Sequence, residues 1–246
     1  MTGSLPTPPR PDGMPEPAGA EAPLLTVAIC TRNRARFLEA AVASALGQRT
    51  DDTELLIVDN ASTDGTAELG ARLAAGSAGV SFCREETLGL SAARNTALAR
   101  ARGTFVIFLD DDAVAKPGWL AAYRRFLCAP PSAGIAVVGG GVEPEFEVPP
   151  PSWYDPQSTT LDLGDPSRRV SARGGPWGCN IAYRREAALQ AGGFACDLGR
   201  KGSFLGLHEE GEFNRRLELA GSQVWWLPEA RIRHFVAAER LTLSWQ

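Results

Sequence analysis

The stretch Thr104-Phe-Val-Ile-Phe-Leu-Asp-Asp-Asp112 decides the fold of this chain. Phe105 to Leu109 form an unbroken apolar run of strand length. With no polar alternation, the run predicts a strand covered on both faces, as in a sheet flanked by helices. It leads straight into three carboxylates. Adjacent carboxylates repel one another, and each gains from protonation or from a neutralising cation. Oxygen donors suit Mg²⁺ or Mn²⁺, ions that commonly also hold phosphates. In an extended segment alternate side chains share a face, so Asp110 and Asp112 are expected to point into a crevice and Asp111 elsewhere. A solvated acidic turn is the competing reading, and the buried strand in front of the cluster weighs against it.

Working outward, Ser91 is expected to cap a helix through Arg102 that Gly103 stops. Leu24–Cys30 and Glu54–Val58 are further apolar runs of strand length, and Val80–Arg84 is a third candidate strand. Between them Phe37, Leu38, Ala41, Val42, Ala45 and Leu46 recur at helical spacing, and Ser62-Thr63-Asp64-Gly65 supplies turn chemistry before a helix through about Ala75. This alternation predicts an α/β fold with a mostly parallel central sheet, Rossmann-like, with helices on both faces. Ligands of such sheets sit beyond the carboxyl ends of the strands. Thr31-Arg32-Asn33-Arg34, Asp59-Asn60 and Asp110 to Asp112 all lie at such ends, so they should converge on one crevice.

The second half is less regular. Ile135–Val142 predicts a strand, Glu143–Pro156 a proline-rich loop over the site carrying Trp153 and Tyr154, and Gly174–Gly178 a flexible stretch around Pro176 and Trp177. Helices are expected from about Arg185 to Gln190 and from Glu209 to Leu219. Two strands follow, Gln223–Leu227 and Ala230–Phe235. Residues 1–23 hold seven prolines and almost no large apolar side chains, the composition of a disordered leader.

At 246 residues, with 44% hydrophobic residues, the chain can bury a sizeable core as one domain over 24–246. A net charge of −4 argues against nucleic acid as a partner. No apolar window is long enough for a transmembrane segment, and no secretory signal opens the chain. The five cysteines form no Cys-x-x-Cys pair, so reduced thiols and a cytoplasmic location are expected.

Several side chains have both a chemical and a plain reading. Asp59, after Leu55-Leu56-Ile57-Val58, could accept hydrogen bonds from a base or ribose, or cap the turn that follows. Arg94, in the first turns of its helix, could reach a nucleotide or be a surface charge. The same holds for Arg32 and Arg34. Glu209-Glu210-Gly211-Glu212 complements a helix dipole, and it could equally place a general base at a crevice edge. His234, at the end of an apolar strand, is a metal ligand or a buried structural histidine.

Taken together, "TVAICTRNR", "ELLIVDNASTDGT", "GLSAARNTALARARGTFVIFLDDDAVAKPGWL", "GCNIAYRREAALQAGGF", "HEEGEFNRRLELAG" and "PEARIRHF", in that order over residues 25 to about 240, resemble the family 2 glycosyltransferases. These are inverting enzymes with the A-type nucleotide-sugar transferase fold. The resemblance implies a nucleotide-binding half over 24–113 and an acceptor and catalytic half over 114–246. It implies that Thr31, Arg32, Arg34, Asp59 and Arg94 hold the nucleoside, with Asp110 and Asp111 beside the ribose and metal. Asp112 would bind Mn²⁺ or Mg²⁺, with His234 as a second ligand. Glu210, or Glu209 beside it, would be the catalytic base, and Trp177, Gly178 and Asn180 would lie near the donor sugar or acceptor. The donor would be a nucleoside-diphosphate sugar of the UDP type. The acceptor would be a hydroxyl of a glycan, a lipid-linked sugar or a small natural product, the last two allowing peripheral contact with the inner membrane face.

Two departures qualify the resemblance. Glu209-Glu210 stands where the family often has Glu-Asp, and no Gln-x-x-Arg-Trp motif of processive synthases is present, which favours single transfers. The chain also stops soon after His234, so an acceptor-binding end that is missing or unusually short is expected. The rival readings are a nucleotidyltransferase, whose glycine-rich, lysine-bearing phosphate loop is missing after the first strand, and a non-catalytic sugar-nucleotide binding module, which would have no need of a base.

Overall fold

The computed structural model describes residues 24–128, 134–199 and 209–242; the proline-rich leader lies outside them. In chain order the elements are β1 (Leu25–Thr31), α1 (Ala35–Leu46), β2 (Thr53–Asn60), α2 (Thr66–Gly76), β3 (Val80–Glu85), α3 (Leu90–Arg100), β4 (Phe105–Leu109), β5 (Ala113–Ala115), α4 (Trp119–Cys128), β6 (Ile135–Phe146), β7 (Arg168–Val170), β8 (Asn180–Arg184), α5 (Arg185–Gln190), α6 (Glu209–Leu219) and β9 (Gln223–Val236). They build one sheet in the order β3-β2-β1-β4-β8-β6-β9-β5, with β7 on β9.

The first four strands of that order are parallel, as the apolar runs demanded: every residue of β4 is buried, and so is every residue of β2. Beyond β4 the sheet turns mixed. β8 runs antiparallel to both β4 and β6, while β6 and β9 are parallel. Core residues lie on both faces: Leu25, Val27, Ile29 and Ile107 pack towards α1 and α4, and Ala28, Val106, Phe108 and Tyr183 towards α3 and α6.

Several local expectations are corrected. The two strands expected after residue 222 are the single β9, which carries Pro228 where the register against β6 shifts between Gly140 and Val142. A proline is tolerated at such an irregularity because the ladder donor it lacks is not needed there. Glu143–Phe146, expected in a loop, extends β6 and pairs with Arg233–Val236. Ser91 does not cap α3: Gly89 stands at the N-cap with φ 142°, a conformation suited to glycine, and the Ser91 hydroxyl donates to Leu198 O at 3.1 Å.

Candidate active site

The expected convergence of strand ends occurs. A cavity of about 860 Å³ opens beyond the carboxyl ends of β1 and β4, and Thr31, Arg32, Arg34, Arg94 and Asp110 to Asp112 line it. Trp177, Gly178, Glu209, Glu210 and His234, from the second half of the chain, complete its wall. Its size is that of a site for a ligand of several hundred daltons.

The aspartates do not continue β4 as an extended strand. The chain turns, with Ala113 N donating to Asp110 O at 3.1 Å, and all three side chains line the cavity. The turn still separates them. Asp110 and Asp112 join His234, with one ligand atom from each within 4.8 Å of the others, while Asp111 stays outside that group. The short strand β5 explains how a histidine 122 positions after Asp112 arrives there: its antiparallel register sets His234 opposite Ala113, and Phe235 N donates to Asp112 O at 2.9 Å. Two carboxylates and one imidazole are a donor set that fits Mn²⁺ or Mg²⁺ with positions left for phosphate oxygens and water.

The electrostatics are those of a site short of positive charge. Asp111 is pushed up to about 7 by burial and by repulsion from Asp112 and Asp110. Burial likewise raises Asp110, with Asp112 and Glu210 adding to it against the pull of Arg94 and His234. Asp112 would be raised by burial too, but the His234 hydrogen bond at 3.0 Å and the charges of His234 and Arg34 hold it low. On His234 burial opposes the proton, yet the same Asp112 contact and the Asp110 charge outweigh burial and raise its pKa. His234 and Asp112 thus each favour the charged form of the other.

The two glutamates at the head of α6 differ in their surroundings. Glu209 is 6% exposed and accepts from Arg94 Nη1 at 2.9 Å, and burial holds its carboxyl above the usual range despite that arginine. Glu210 is half-buried on the cavity wall and takes no hydrogen bond or ion pair among the described residues. Arg94, expected at a nucleotide, is 3% exposed, and it also donates to Gly178 O at 3.2 Å and faces Asp110 at 3.7 Å.

Two expected residues do not line the cavity. Asn180 is wholly buried: its amide nitrogen donates to Gly141 O and Ala230 O, and its oxygen accepts from Trp119 Nε1 and the Tyr123 hydroxyl. With both ends of the amide satisfied by protein, it is a structural tie between β8, α4, β6 and β9, which corrects its placement at the sugar. Asp59 is also fully buried; Oδ2 accepts from Ser62 N and from Arg84 Nη1 at 3.0 Å, while Oδ1 has no partner. Thr31 Oγ1 is the other buried side-chain oxygen without a partner among the described residues. Conversely, Arg240 and Ser158 line the cavity without any signal in the sequence, each brought there by a short 3-10 helix.

The sequence profile of "Glycosyl transferase family 2" matches residues 26–190. The chain belongs to that family. A glucosyl-dolichyl phosphate glucuronosyltransferase of Haloferax volcanii is 27% identical over 232 residues, 90% of this chain and 72% of the relative. Among solved structures, the mannosyltransferase PcManGT of Pyrobaculum calidifontis, in complex with GDP-Man and Mn²⁺, superposes with a TM-score of 0.65 at 24% identity, over 91% of this chain and 59% of that one. TarS 1–349 of S. aureus with UDP-GlcNAc gives 0.64 at 19% identity, over 87% and 58%. This family 2 glycosyltransferase therefore has the fold of those two transferases, while spanning less than two thirds of either structure.

Proposed function

We propose that the enzyme performs inverting, divalent-metal-dependent, single transfers from a nucleoside-diphosphate sugar to an acceptor hydroxyl. The observation that carries this reading is the Glu210 carboxylate, without a hydrogen bond or ion pair among the described residues, in the same cavity as the Asp110, Asp112 and His234 cluster. A base and a diphosphate anchor are the two elements that a direct displacement needs.

In this reading Asp112, His234 and Asp110 hold the ion, which supplies Lewis-acid neutralisation of the donor diphosphate, an effect worth several kcal/mol. Thr31 Oγ1, buried on the cavity wall and without a hydrogen-bond partner among the described residues, supports a nucleoside beyond β1, since such an atom is costly unless a ligand satisfies it. Arg32 and Arg34 flank it from the end of β1. Trp177 and Gly178 form the wall where the sugar would sit. Glu210 takes the proton of the acceptor hydroxyl as its oxygen bonds to the anomeric carbon. The bond from that carbon to the diphosphate breaks on the opposite side, its electron pair leaves with the diphosphate, and configuration inverts. With Glu209 engaged by Arg94, Glu210 is the base of choice.

A UDP sugar is the donor of first choice, and a lipid-linked sugar is the acceptor class supported by the name of the haloarchaeal relative. Such an acceptor implies work at the inner membrane face, compatible with a fold in which no described helix is long and apolar enough to cross a membrane. The test is Glu210→Gln: with Mn²⁺ and UDP-glucose, UDP-N-acetylglucosamine and GDP-mannose as probes, calorimetry should show unchanged donor affinity, whereas turnover should fall at least about 100-fold. Near-normal turnover would move the base elsewhere.

A further inference from the structure

The arginine of α3 is more deeply engaged with protein than a nucleotide-reading residue would be. Arg94 sends Nη1 to Glu209 Oε1 at 2.9 Å and Nη2 to Gly178 O at 3.2 Å, with Asp110 Oδ1 3.7 Å away. Its guanidinium packs over the rings of Phe108 and Phe194, at 5.7 and 5.4 Å from their centroids. A Cβ at position 178 would come within 2.7 Å of Nη2, so only glycine leaves room for this placement. The side chain thus bridges Asp110, beyond β4, and Glu209, the first residue of α6, two elements far apart in sequence.

Its neighbours on α3 act in the same direction. Asn95 Oδ1 accepts from Phe194 N at 2.7 Å and its Nδ2 donates to Phe194 O at 2.9 Å, while Ser91 holds Leu198 O. Residues at these spacings share a helix face. One face of α3 therefore holds the segment 194–198 and the head of α6 against the aspartate turn.

We infer that Arg94 and Glu209 are positioning residues: their ion pair sets the distance between Glu210, the adjacent residue of α6, and the Asp110 side of the site where the diphosphate leaves. The inference rests on the assignment of Glu210 as base. A buried, bidentate-capable guanidinium suits this task, because its planar donors fix direction as well as distance. Displacement of a catalytic group by about 1 Å is enough to lower a rate roughly 100-fold.

The experiment compares Glu209→Ala, Glu209→Gln, Arg94→Lys and Glu210→Gln in the full chain. Hydrogen exchange, which needs no substrate, reads the amides of residues 213–216, whose helical acceptors are the carbonyls of the first turn of α6. They should exchange at least about 10-fold faster in Glu209→Ala, stay near wild type in Glu209→Gln, which keeps an oxygen for Arg94, and leave β4 protection unchanged. Mn²⁺-dependent release of nucleoside diphosphate from UDP-glucose, UDP-N-acetylglucosamine or GDP-mannose reads the function. Glu209→Ala should lower kcat about 10- to 100-fold with donor KM within about threefold, and Glu209→Gln should restore most of kcat. Unchanged exchange in Glu209→Ala would overturn the inference. So would a Glu209→Gln variant as inactive as Glu209→Ala with α6 still protected, which would make Glu209 the base. A raised donor KM with unchanged kcat in Arg94→Lys would return Arg94 to the nucleotide. Full turnover in Glu210→Gln would remove the base assignment while leaving the exchange result intact, so the two failures are distinguishable.

Discussion

At the scale of single residues, His234 and a divalent cation compete for the same carboxylate. The Asp112 contact overcomes the effect of burial and raises the imidazole pKa, so its contribution to the stability of the metal-free protein is fully present below the unfolded value near 6.5 and is lost as pH rises through the raised folded value. Asp111, at about 7, acts in the same sense: burial and repulsion favour its protonated form, and that advantage is lost between its unfolded value near 3.8 and 7. Metal binding requires the deprotonated ligands and releases those protons. The stabilisation by Mn²⁺ should therefore be larger at pH 8 than at pH 6, read as the shift in melting temperature, and His234→Ala should flatten the difference. A Mn²⁺ effect of the same size at both pH values would exclude His234 from the site. Asp112→Ala should abolish Mn²⁺ binding measured by calorimetry, whereas unchanged affinity would remove the cation from this turn.

At the scale of elements, the strands that carry the aspartate side of the cavity were legible because each is built on a mostly apolar run. Leu25–Thr31, Thr53–Asn60 and Phe105–Leu109 need no partner to be recognised, and their polar ends fall together by the geometry of a parallel sheet. The second half resisted for a physical reason. β8 begins with a buried asparagine and ends in arginine, and Pro228 divides the pattern of β9, so neither shows the periodicity of its class. Asn180 is the instructive case: a polar residue just after Trp177 and Gly178 has the local pattern of a binding residue, and only the arrival of Trp119 and Tyr123 from α4 reveals it as a core tie. Asn180→Ala would leave the Trp119 indole buried without its acceptor and take a donor from two carbonyls, while the Tyr123 hydroxyl would keep only the Asn180 backbone carbonyl at 3.2 Å. Such a loss should cost about 3 kcal/mol, or roughly 6–12 °C in melting temperature. Thermal denaturation of the metal-free protein checks it, and a shift under about 2 °C would argue that solvent or repacking replaces the tie.

At the scale of the whole molecule, the site gathers Asp110, Asp111, Asp112, Glu209 and Glu210 in one cavity of a chain with net charge −4. Arg94, the most deeply placed cation there, is engaged by Glu209 and held above its usual range because Asp110, Glu209 and Glu210 offset burial. Arg34 faces Asp112 at 3.9 Å. A nucleoside diphosphate entering this field would add negative charge to an already acidic surface, so its affinity should depend on a cation arriving with it. The coupling must be reciprocal, since each ligand changes the affinity of the other by the same factor. UDP titrated in 1 mM Mn²⁺ should bind at least about 50-fold more tightly than UDP titrated in EDTA, and saturating UDP should tighten Mn²⁺ by the same ratio, a coupling of roughly 2 kcal/mol. Coulomb attraction within a partly buried crevice is ample to supply it. The Asp112→Ala protein, lacking the ion, should bind UDP weakly in both buffers. Equal affinity for UDP with and without Mn²⁺ in the unmodified protein would place the diphosphate away from the aspartate turn, and the transfer would then have to be assigned to arginine donors alone.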